Sequence, residues 1–300
     1  MAEETANLSQ AEHKAIYTTE EIKELGFKCN KKLPDPVKCK YCGRTLYYEC
    51  IVLMNNVVVI RKTPQRCDCE KAQQYWNAVD AVKAEKAEKE RLEASEKKYR
   101  LRVKRSKIGK LHQNCSLNNY VCSTQKQKAA VRKATEYIKN FASFKAQGRG
   151  LYIEGTAGTG KTHFAAAISM ELIKQGYSVI MQTQNDILAT IKTAYDNFSD
   201  YSEEELSGRY KRVSLLVIDD LGKYPATVWG VAALYDIINY RYEEQLPTII
   251  TTNYNEYDLI KRLTTADGDS VSITTIISRL RQTTDVITMA WDDYRGGLNG

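Results

Sequence analysis

The sequence predicts an α/β protein whose parallel sheet carries helices on both faces, preceded by a small cysteine-rich module and a long helix. Three observations predict this architecture. Apolar, β-branched runs alternate with helical segments after residue 150, as they do in parallel sheets. All eight cysteines lie between Cys29 and Cys122. No glycine or proline interrupts residues 71–108, which is typical of a long helix.

Composition and charge exclude several classes of protein. Hydrophobic residues make up 43% of the chain and charged residues 27%, as in globular proteins with a core. No apolar run reaches the ~18 residues of a membrane-spanning helix, and the polar start MAEETANLSQ is not a secretory signal. We therefore expect a cytoplasmic protein without a membrane partner, and cysteines that stay reduced.

The net charge of +7 conceals a division of the chain. Residues 1–150 carry +14 and residues 151–300 carry −7, so we expect the two halves to do different jobs. At about 100–200 residues per domain, the length predicts two or three domains. The changes in composition place them at residues 1–70, 71–109 and 110–300.

Residues 1–70 are predicted to form a small module with a β-hairpin. A short amphipathic helix is expected at Thr19–Leu25. Two β-rich runs follow, Thr45–Leu53 and Val57–Lys62, and Asn55-Asn56 between them is typical of a hairpin turn.

Two close pairs of cysteines in this module predict a zinc site: Cys39, Cys42, Cys67 and Cys69. The first pair forms a C-x-x-C-G knuckle, and four thiolates in two pairs suit a closed tetrahedral Zn²⁺ site. Bound metal would supply folding energy that so small a core lacks. Cys29 or Cys50 replacing one ligand remains open. The competing interpretation, small hydrophobic residues in strands, fits Cys50 but not a lysine-flanked knuckle.

Residues 71–109 are predicted to form a charged linker helix. Ala, Glu, Lys and Arg dominate it, and pairs such as Glu85/Lys89 each support a solvated helix by ~0.2–0.5 kcal/mol. Residues 97–110 hold eight basic residues and no acidic one. This charge suits a phosphate backbone or an acidic partner, and the alternative is the solvated end of a linker.

Residues 110–300 are predicted to form the α/β domain. A helix is expected at Ser123–Phe144, ahead of the first strand. Five apolar runs are the predicted strands: Leu151–Glu154, Ser178–Gln182, Ser214–Asp219, Thr248–Thr252 and Asp285–Ala290.

A phosphate-binding motif, G-x-x-x-x-G-K-[ST], follows the first of these strands and begins a helix. Backbone N–H groups of such a loop surround phosphate oxygens, aided by the helix dipole. Lys161 is expected to reach the β- and γ-phosphates, and the Thr162 hydroxyl to bind Mg²⁺. The alternative, a glycine-rich turn with a chance lysine, does not account for the strand and helix around it. The predicted ATP contacts are Gly155, Thr156, Ala157, Gly158, Thr159, Gly160, Lys161, Thr162 and His163.

Polar side chains end two other predicted strands. Asp219 and Asp220 end one run, where carboxylates reach the edge of the sheet that binds nucleotides. We expect Asp219 to hold Mg²⁺ and Asp220 to polarise the attacking water, against the alternative of two solvated aspartates. Asn253 ends another run and is suited to position the water or sense the γ-phosphate, although asparagine commonly ends strands.

These residues carry a resemblance to a known family. The matching pieces are GTAGTGKTH, LLVIDDLG, IINYRY, LPTIITTNY, IISRLR and WDDYR, in that order over about residues 110–295. The chain resembles AAA+ ATPases of the bacterial and phage replicative helicase loader type (DnaC/DnaI), a group that includes the IstB-type transposition helpers. The resemblance implies an ATPase that uses ATP and Mg²⁺.

The resemblance also implies roles for single residues. It gives Asn253 the sensor-1 role and Arg279 the role of an arginine finger reaching the ATP of a neighbouring subunit. Arg281 is the fallback for the finger, and Arg295 a second sensor. The alternative for these arginines is a solvated helix face.

The sequence departs from the broader AAA+ pattern in two places. Asp220 stands where glutamate is usual, which implies slow hydrolysis. Only 47 residues follow Asn253, too few for a full C-terminal lid. Loaders are similar in both respects.

The resemblance implies partners as well. It predicts that the cysteine-rich domain contacts the replicative helicase, that the chain self-associates into an ATP-dependent ring or spiral, and that single-stranded DNA lies near Lys223, Tyr224 and Trp229. Trp229 as a core residue is an equal alternative. The predicted function is an ATP-dependent helicase loader. The alternatives are an IstB-type transposition helper and a zinc-dependent adaptor with a structural nucleotide.

Overall fold

The chain divides into two units, residues 1–93 and 94–300, and the boundary falls inside a long helix. The computed structural model describes residues 16–29, 31–53, 57–195, 201–265, 268 and 270–291. Within these ranges no helix is both long and apolar enough to cross a membrane. The division into three domains stays a prediction.

The first unit begins with one short helix and several short strands. Thr18 caps the helix, because its hydroxyl accepts from Glu21 N–H while the Glu21 carboxylate accepts from Thr18 N–H. The elements are β1 (Tyr17–Thr18), α1 (Thr19–Glu24), β2 (Val37–Lys38), β3 (Thr45–Leu46), β4 (Tyr48–Val52) and β5 (Val58–Pro64).

These strands form two antiparallel sheets, β1-β4-β5 and β2-β3. The predicted pairing across the hairpin is present, with Cys50 of β4 opposite Ile60 of β5. The single predicted strand Thr45–Leu53 is wrong, because β3 pairs with β2 and β4 with the other sheet, and the chain changes sheets at Tyr47. The predicted turn at Asn55-Asn56 lies outside the described residues.

The long helix α2 spans Glu70–Arg105, close to its predicted limits. In the second unit, Tyr99 and Val103 of this helix pack against the core. Ser106, which follows the helix, is fully buried, and its hydroxyl donates to the carbonyl of Val103 at 2.7 Å. The end of α2 is therefore an integral part of the second unit.

The rest of the second unit alternates helices and strands. The predicted helix Ser123–Phe144 is interrupted at Asn140, whose backbone leaves the helical region (φ −105°, ψ 19°). The elements are α3 (Gln125–Lys139), α4 (Phe141–Ala146), β6 (Gly150–Gly155), α5 (Lys161–Lys174), β7 (Val179–Thr183), α6 (Gln184–Lys192), α7 (Glu203–Arg212), β8 (Leu215–Asp219), α8 (Val228–Glu243), β9 (Thr248–Thr252), α9 (Glu256–Leu263), α10 (Val271–Thr283) and β10 (Thr284–Met289), with 3-10 turns at His112–Asn114, Leu117–Asn119 and Thr193–Tyr195.

The five strands β6–β10 form one parallel sheet in the order β10-β6-β9-β8-β7. The predicted parallel sheet with helices on both faces is confirmed. Apolar residues pack on each face, since Ile153 of β6 belongs to one core and its neighbour Tyr152 to the other. Because β9 lies between β6 and β8, the carboxyl ends of these three strands meet at one edge.

Arg241 of α8 ties three elements together from inside the second unit. Its side chain is 1% exposed. Burial lowers the pKa of Arg241 to about 9, so the guanidinium is still charged at neutral pH. Its nitrogens donate to the Thr248 hydroxyl and to four carbonyl oxygens, those of Tyr210, Lys211, Val213 and Pro247, at 2.5–3.0 Å.

Candidate nucleotide site and cysteine cluster

The loop between β6 and α5 has a backbone that requires glycine. Gly158 and Gly160 have φ angles of 79° and 90°, which side chains disfavour. A Cβ on Gly160 would lie 3.0 Å from the Tyr120 ring. A Cβ on Gly155 would lie 2.0 Å from the carbonyl oxygen of Met289 in β10. The glycines therefore let the loop close tightly against its neighbours.

Lys161 begins α5 and is almost fully covered, with 5% of its surface exposed. Its ammonium group donates to the carbonyl oxygens of Gly155 and Thr156 at 3.0 and 2.6 Å. The positive charge is thus held within the loop, beside the N-terminus of α5. The ammonium group and the helix N-terminus both favour binding of an anion.

Thr162 and Asp219, the two predicted magnesium ligands, lie together. The Thr162 hydroxyl donates to both Asp219 carboxylate oxygens at 3.1 Å. Burial raises the pKa of Asp219, and hydrogen bonds from Thr251 and Thr162 oppose this shift. A buried carboxylate and a hydroxyl at the phosphate loop are oxygen donors of the kind that Mg²⁺ takes beside nucleotide phosphates. The residues present therefore fit a magnesium ion.

Thr251 of β9, which sequence reasoning missed, links the two aspartates. Its hydroxyl donates to Asp219 at 2.5 Å and accepts from the backbone N–H of Asp220 at 2.9 Å. This role depends on β9 lying beside β8, and only a prediction of strand order could have found it.

Asp220 has a left-handed backbone, with φ of 54°. Aspartate adopts this conformation more readily than most side chains do, which gives a physical reason for aspartate at this position. Its carboxylate pairs with the Lys223 ammonium at 2.8 Å, and this contact raises the pKa of Lys223.

One cavity of about 670 Å³ brings most of the predicted site together, within the size range of small-molecule pockets. A segment ahead of α3 closes one side, with Leu111, His112 and Cys115 in its lining. Sequence reasoning missed this segment. The predicted residues in the lining are Ala157, Gly158, Gly160, Lys161, Thr162, His163, Asp220, Lys223 and Asn253.

Two aromatic side chains hold the phosphate loop from outside the cavity. Tyr120 O–H and Trp291 Nε1–H both donate to the carbonyl of Thr159, at 2.9 and 3.3 Å. Tyr120 was not predicted. Trp291 begins the WDDYR piece, which was the one signal for it in the sequence.

The arginines implied by the resemblance lie apart from this cavity or outside the described residues. Arg279 of α10 packs against two tyrosines of α8, with its guanidinium carbon 5.3 Å from the ring centroids of Tyr235 and Tyr242. Arg281 pairs with Glu256 at 3.3 Å. Neither lines the cavity. Arg295 lies outside the described residues.

The three predicted DNA contacts have different surroundings. Lys223 lines the nucleotide cavity, and Tyr224 is 41% exposed. Trp229 packs against the core, with the Lys192 ammonium 5.6 Å from its ring centroid. Of the two interpretations of Trp229, the structure therefore agrees with packing against the core.

In the first unit, the structure gathers four predicted zinc ligands, whose Sγ atoms all lie within 4.8 Å of one another: Cys39, Cys42, Cys67 and Cys69. The Cys39–Cys69 and Cys42–Cys67 sulfur distances are 3.9 and 3.4 Å. Zinc–sulfur bonds of about 2.3 Å in a tetrahedron place sulfurs about 3.8 Å apart. The cluster therefore fits a zinc ion.

The backbone shapes this cluster and activates one of its thiols. Cys39 N–H donates to the carbonyl of Arg44 at 2.8 Å, and Gly43 N–H to the carbonyl of Cys39 at 2.9 Å. Backbone hydrogen bonds from Tyr41 and Cys42 lower the pKa of Cys39 to about 6. Cys50 is instead fully buried in β4 and does not belong to the group.

Fold and site together define a class of protein. A phosphate loop lies between an interior strand and a helix, and a carboxylate at the end of β8, two strands away in the sheet, accepts a hydrogen bond from the first hydroxyl of that helix. These are the features of a P-loop nucleotide-binding protein.

Comparison with known proteins identifies the family. The model of the family "IstB-like ATP binding protein" matches residues 65–297. The replicative helicase loader DnaC of Escherichia coli K12 is 35% identical over 201 residues, which cover 65% of this chain and 75% of DnaC. DnaC of Buchnera aphidicola (strain Bp) is 31% identical over 197 residues. The chain belongs to the IstB-like ATP-binding family, and its resemblance to DnaC-type AAA+ loaders is confirmed.

Two solved structures agree with this assignment. The crystal structure of the DnaC helicase loader matches with a TM-score of 0.52 and 26% identity, over 60% of this chain and 99% of that one. The crystal structure of DnaI matches with a TM-score of 0.53 and 25% identity, over 61% and 95%.

Proposed function

We propose that this chain is an ATP-dependent loader of a replicative helicase in DNA replication. The observation that carries the proposal is its 35% identity to the helicase loader DnaC over three quarters of that protein. The contact between Thr162 and Asp219 at the phosphate loop supports it, because a loader that switches on ATP needs a site for nucleotide and Mg²⁺.

In this proposal the chain's own residues divide the work of hydrolysis. Lys161 binds the β- and γ-phosphates, and Thr162 and Asp219 hold Mg²⁺, which neutralises the charge that develops on the phosphates. Asp220 orients the attacking water, and Asn253 senses the γ-phosphate.

Hydrolysis by an isolated chain should be slow. Asp220 is engaged by Lys223, and Arg279 lies outside the cavity of its own chain. An arginine supplied by a neighbouring subunit is worth ~10³–10⁵ in rate where it completes a site. Association of subunits is therefore the expected trigger of turnover.

We propose that residues 1–70 form a zinc-stabilised module that binds the helicase. Residues 71–109 link it to the ATPase domain of residues 110–300. Single-stranded DNA is proposed to pass near Lys223 and Tyr224, whose cation and exposed ring suit a phosphate and a base.

Transfer of a purified replicative helicase onto a circular single strand, with and without ATP, tests the proposal. Wild type should promote ATP-dependent loading, and Lys161→Ala should abolish both nucleotide binding and loading. Lys174→Ala, at the exposed end of the same helix, is the matched control. Wild-type loading by Lys161→Ala, or no loading by the wild type, would contradict the proposal.

The IstB-like family match over residues 65–297 favours a second candidate, a transposition helper that binds duplex DNA. Binding to a labelled single strand and to a duplex of equal length, in ATP, separates the two. A clear preference for the duplex would favour the helper. Turnover stimulated by DNA would exclude a third interpretation, a zinc-dependent adaptor whose nucleotide is structural.

A further inference from the structure

The last turns of α2 present a strongly basic surface that the nucleotide site does not use. We name it the basic face. Its members are exposed except for the partly covered Arg102: Lys97, Lys98, Arg100, Arg102, Lys104 and Arg105. All belong to the second unit.

This surface is held in a fixed position. On the opposite side of the helix, Tyr99 and Val103 pack against the core. Just beyond the helix, the carbonyl of Ser106 accepts from Met181 N–H of the edge strand β7 at 2.9 Å. The helix is therefore anchored along its inner side, while every member of the basic face except Arg102 is exposed to solvent.

The charges of the basic face are largely uncompensated. Among described residues, Arg100 is the one member with an ion pair, to Glu96 at 2.8 Å. The helix dipole favours cations near its C-terminus, which accounts for Lys104 and Arg105 but not for Lys97 and Lys98, two turns earlier. Since like charges on one helix repel, the arrangement favours an anionic partner.

The chemistry of this surface favours phosphates over a protein. Protein interfaces bury aromatic and apolar side chains at their centre, whereas Leu101, 44% exposed, is the one exposed large hydrophobic residue of residues 97–105. At 1.5 Å per residue the face is about 12 Å long, and a duplex presents one charge per ~1.7 Å. Without exposed rings the face offers no platform for stacking bases.

We propose that the basic face binds the phosphate backbone of DNA, independently of nucleotide and of base sequence. It is a second DNA contact, apart from the strand path proposed near Tyr224. Contacts of this kind depend on charge alone, so single strands and duplexes should both bind, and affinity should fall steeply with salt.

A charge-neutralised variant tests this proposal: Lys97→Gln, Lys98→Gln, Lys104→Gln and Arg105→Gln together. Binding to a labelled duplex and a labelled single strand is measured by fluorescence anisotropy over a salt series, without ATP. The plot of log affinity against log salt should become shallower by ~0.9 per lost contact on the duplex and ~0.7 on the single strand. Affinity at low salt should drop by about tenfold or more.

The matched control removes four positive charges from the mixed-charge part of the same helix by changing Lys83, Lys86, Lys89 and Arg91 to glutamine. Its DNA binding should match the wild type. An equal loss in both variants, or no loss in the first, would overturn the proposal. So would unchanged DNA binding with loss of helicase association, which would indicate an acidic protein partner. Because the assay omits ATP, its outcome is independent of whether the chain loads a helicase.

Discussion

At the scale of single residues, Thr251 shows how one hydroxyl can organise a site. It bonds to the Asp219 carboxylate and to the backbone of Asp220. It thereby fixes both the proposed magnesium ligand and the left-handed residue that follows it.

Thr251→Val should weaken magnesium-dependent ATP binding and slow hydrolysis, because the change leaves the Asp220 N–H unpaired and removes one of the two hydroxyls that hold the Asp219 carboxylate. The unpaired group should cost about 1–3 kcal/mol of stability. Isothermal titration with Mg·ATP, a steady-state ATPase assay and urea unfolding measure the three effects.

Thr252→Val is the matched control for Thr251→Val. Its hydroxyl is equally buried but donates to the carbonyl of Leu221, not to a carboxylate. It should lose comparable stability and retain magnesium-dependent binding. Equal binding defects in the two variants would show that Thr251 acts through stability alone.

A second prediction at this scale concerns Arg241. Arg241→Ala removes the donor for one hydroxyl and four carbonyl oxygens in a buried place. Several acceptors lose their partner at once, so the loss should exceed about 3 kcal/mol in the free energy of unfolding. Arg241→Lys should recover only part of it, since one ammonium cannot reach all five acceptors.

Urea unfolding measures the effect of Arg241→Ala. The exposed Arg132→Ala is the control and should change stability by less than about 0.5 kcal/mol. An equally small change for Arg241→Ala would contradict the prediction. It would mean that the free-energy cost of desolvating the guanidinium equals the stabilisation from its hydrogen bonds.

Local motifs explain which site residues were predictable. Glycines, Lys161 and Thr162 form a contiguous pattern whose chemistry follows from spacing alone. Thr251 and Arg241 act through neighbours in space, and nothing in their local sequence marks them. Trp229 is a further example, because the local sequence around a tryptophan that follows a loop does not show whether its ring is exposed or packed against the core.

At the scale of elements, the sequence predicted the ends of each strand of the parallel sheet to within one residue, but it joined the two helices α3 and α4 into one. Apolar residues continue in helical spacing through Ile138 and Phe141, so the pattern shows no break at Asn140. The break is in the backbone of Asn140, and beyond it the Phe141 ring lies 5.5 Å from Tyr137 and 4.7 Å from Tyr177.

The prediction at this scale concerns zinc binding by the cysteine cluster. The purified chain should contain one zinc per subunit, and Cys39→Ser should unfold the N-terminal module, because a small module depends on its metal. ATP binding should persist, since the phosphate loop belongs to the other unit. Elemental analysis, circular dichroism and nucleotide titration measure these outcomes.

Cys29→Ser is the control for the zinc prediction, because Cys29 lies outside the sulfur cluster. Its zinc content should equal that of the wild type. Protein prepared without chelator that contains no zinc would refute the metal site.

At the scale of the whole molecule, the alternation of strands and helices was enough to predict the fold class. The strand order β10-β6-β9-β8-β7 could not be derived in the same way. Each crossover can place the next strand on either side of the last, and long-range packing decides between them. The position of β9 between β6 and β8, which brings Thr251 to Asp219, belongs to this unpredicted part.

The last prediction concerns Arg279 and the assembly of subunits. It lies against Tyr235 and Tyr242, away from its own cavity, so a role in hydrolysis requires a second subunit. Arg279→Ala should bind ATP normally and lose turnover, whereas Arg281→Ala should retain most of it. Wild-type turnover by Arg279→Ala would show that the finger is another residue.

Mixing two inactive variants tests whether the arginine acts between subunits. Lys161→Ala is expected to bind no nucleotide while still carrying Arg279, and Arg279→Ala is expected to bind nucleotide while lacking the proposed finger. In a head-to-tail assembly, about a quarter of the interfaces of an equal mixture pair an intact phosphate loop with an intact finger. ATPase activity should therefore return to a comparable fraction of the wild-type rate. The double variant mixed with wild type is the control for dilution. No recovery in a mixture that still associates would place the catalytic arginine in the same chain as the nucleotide, and an ATP-driven ring or spiral would lose its main physical reason.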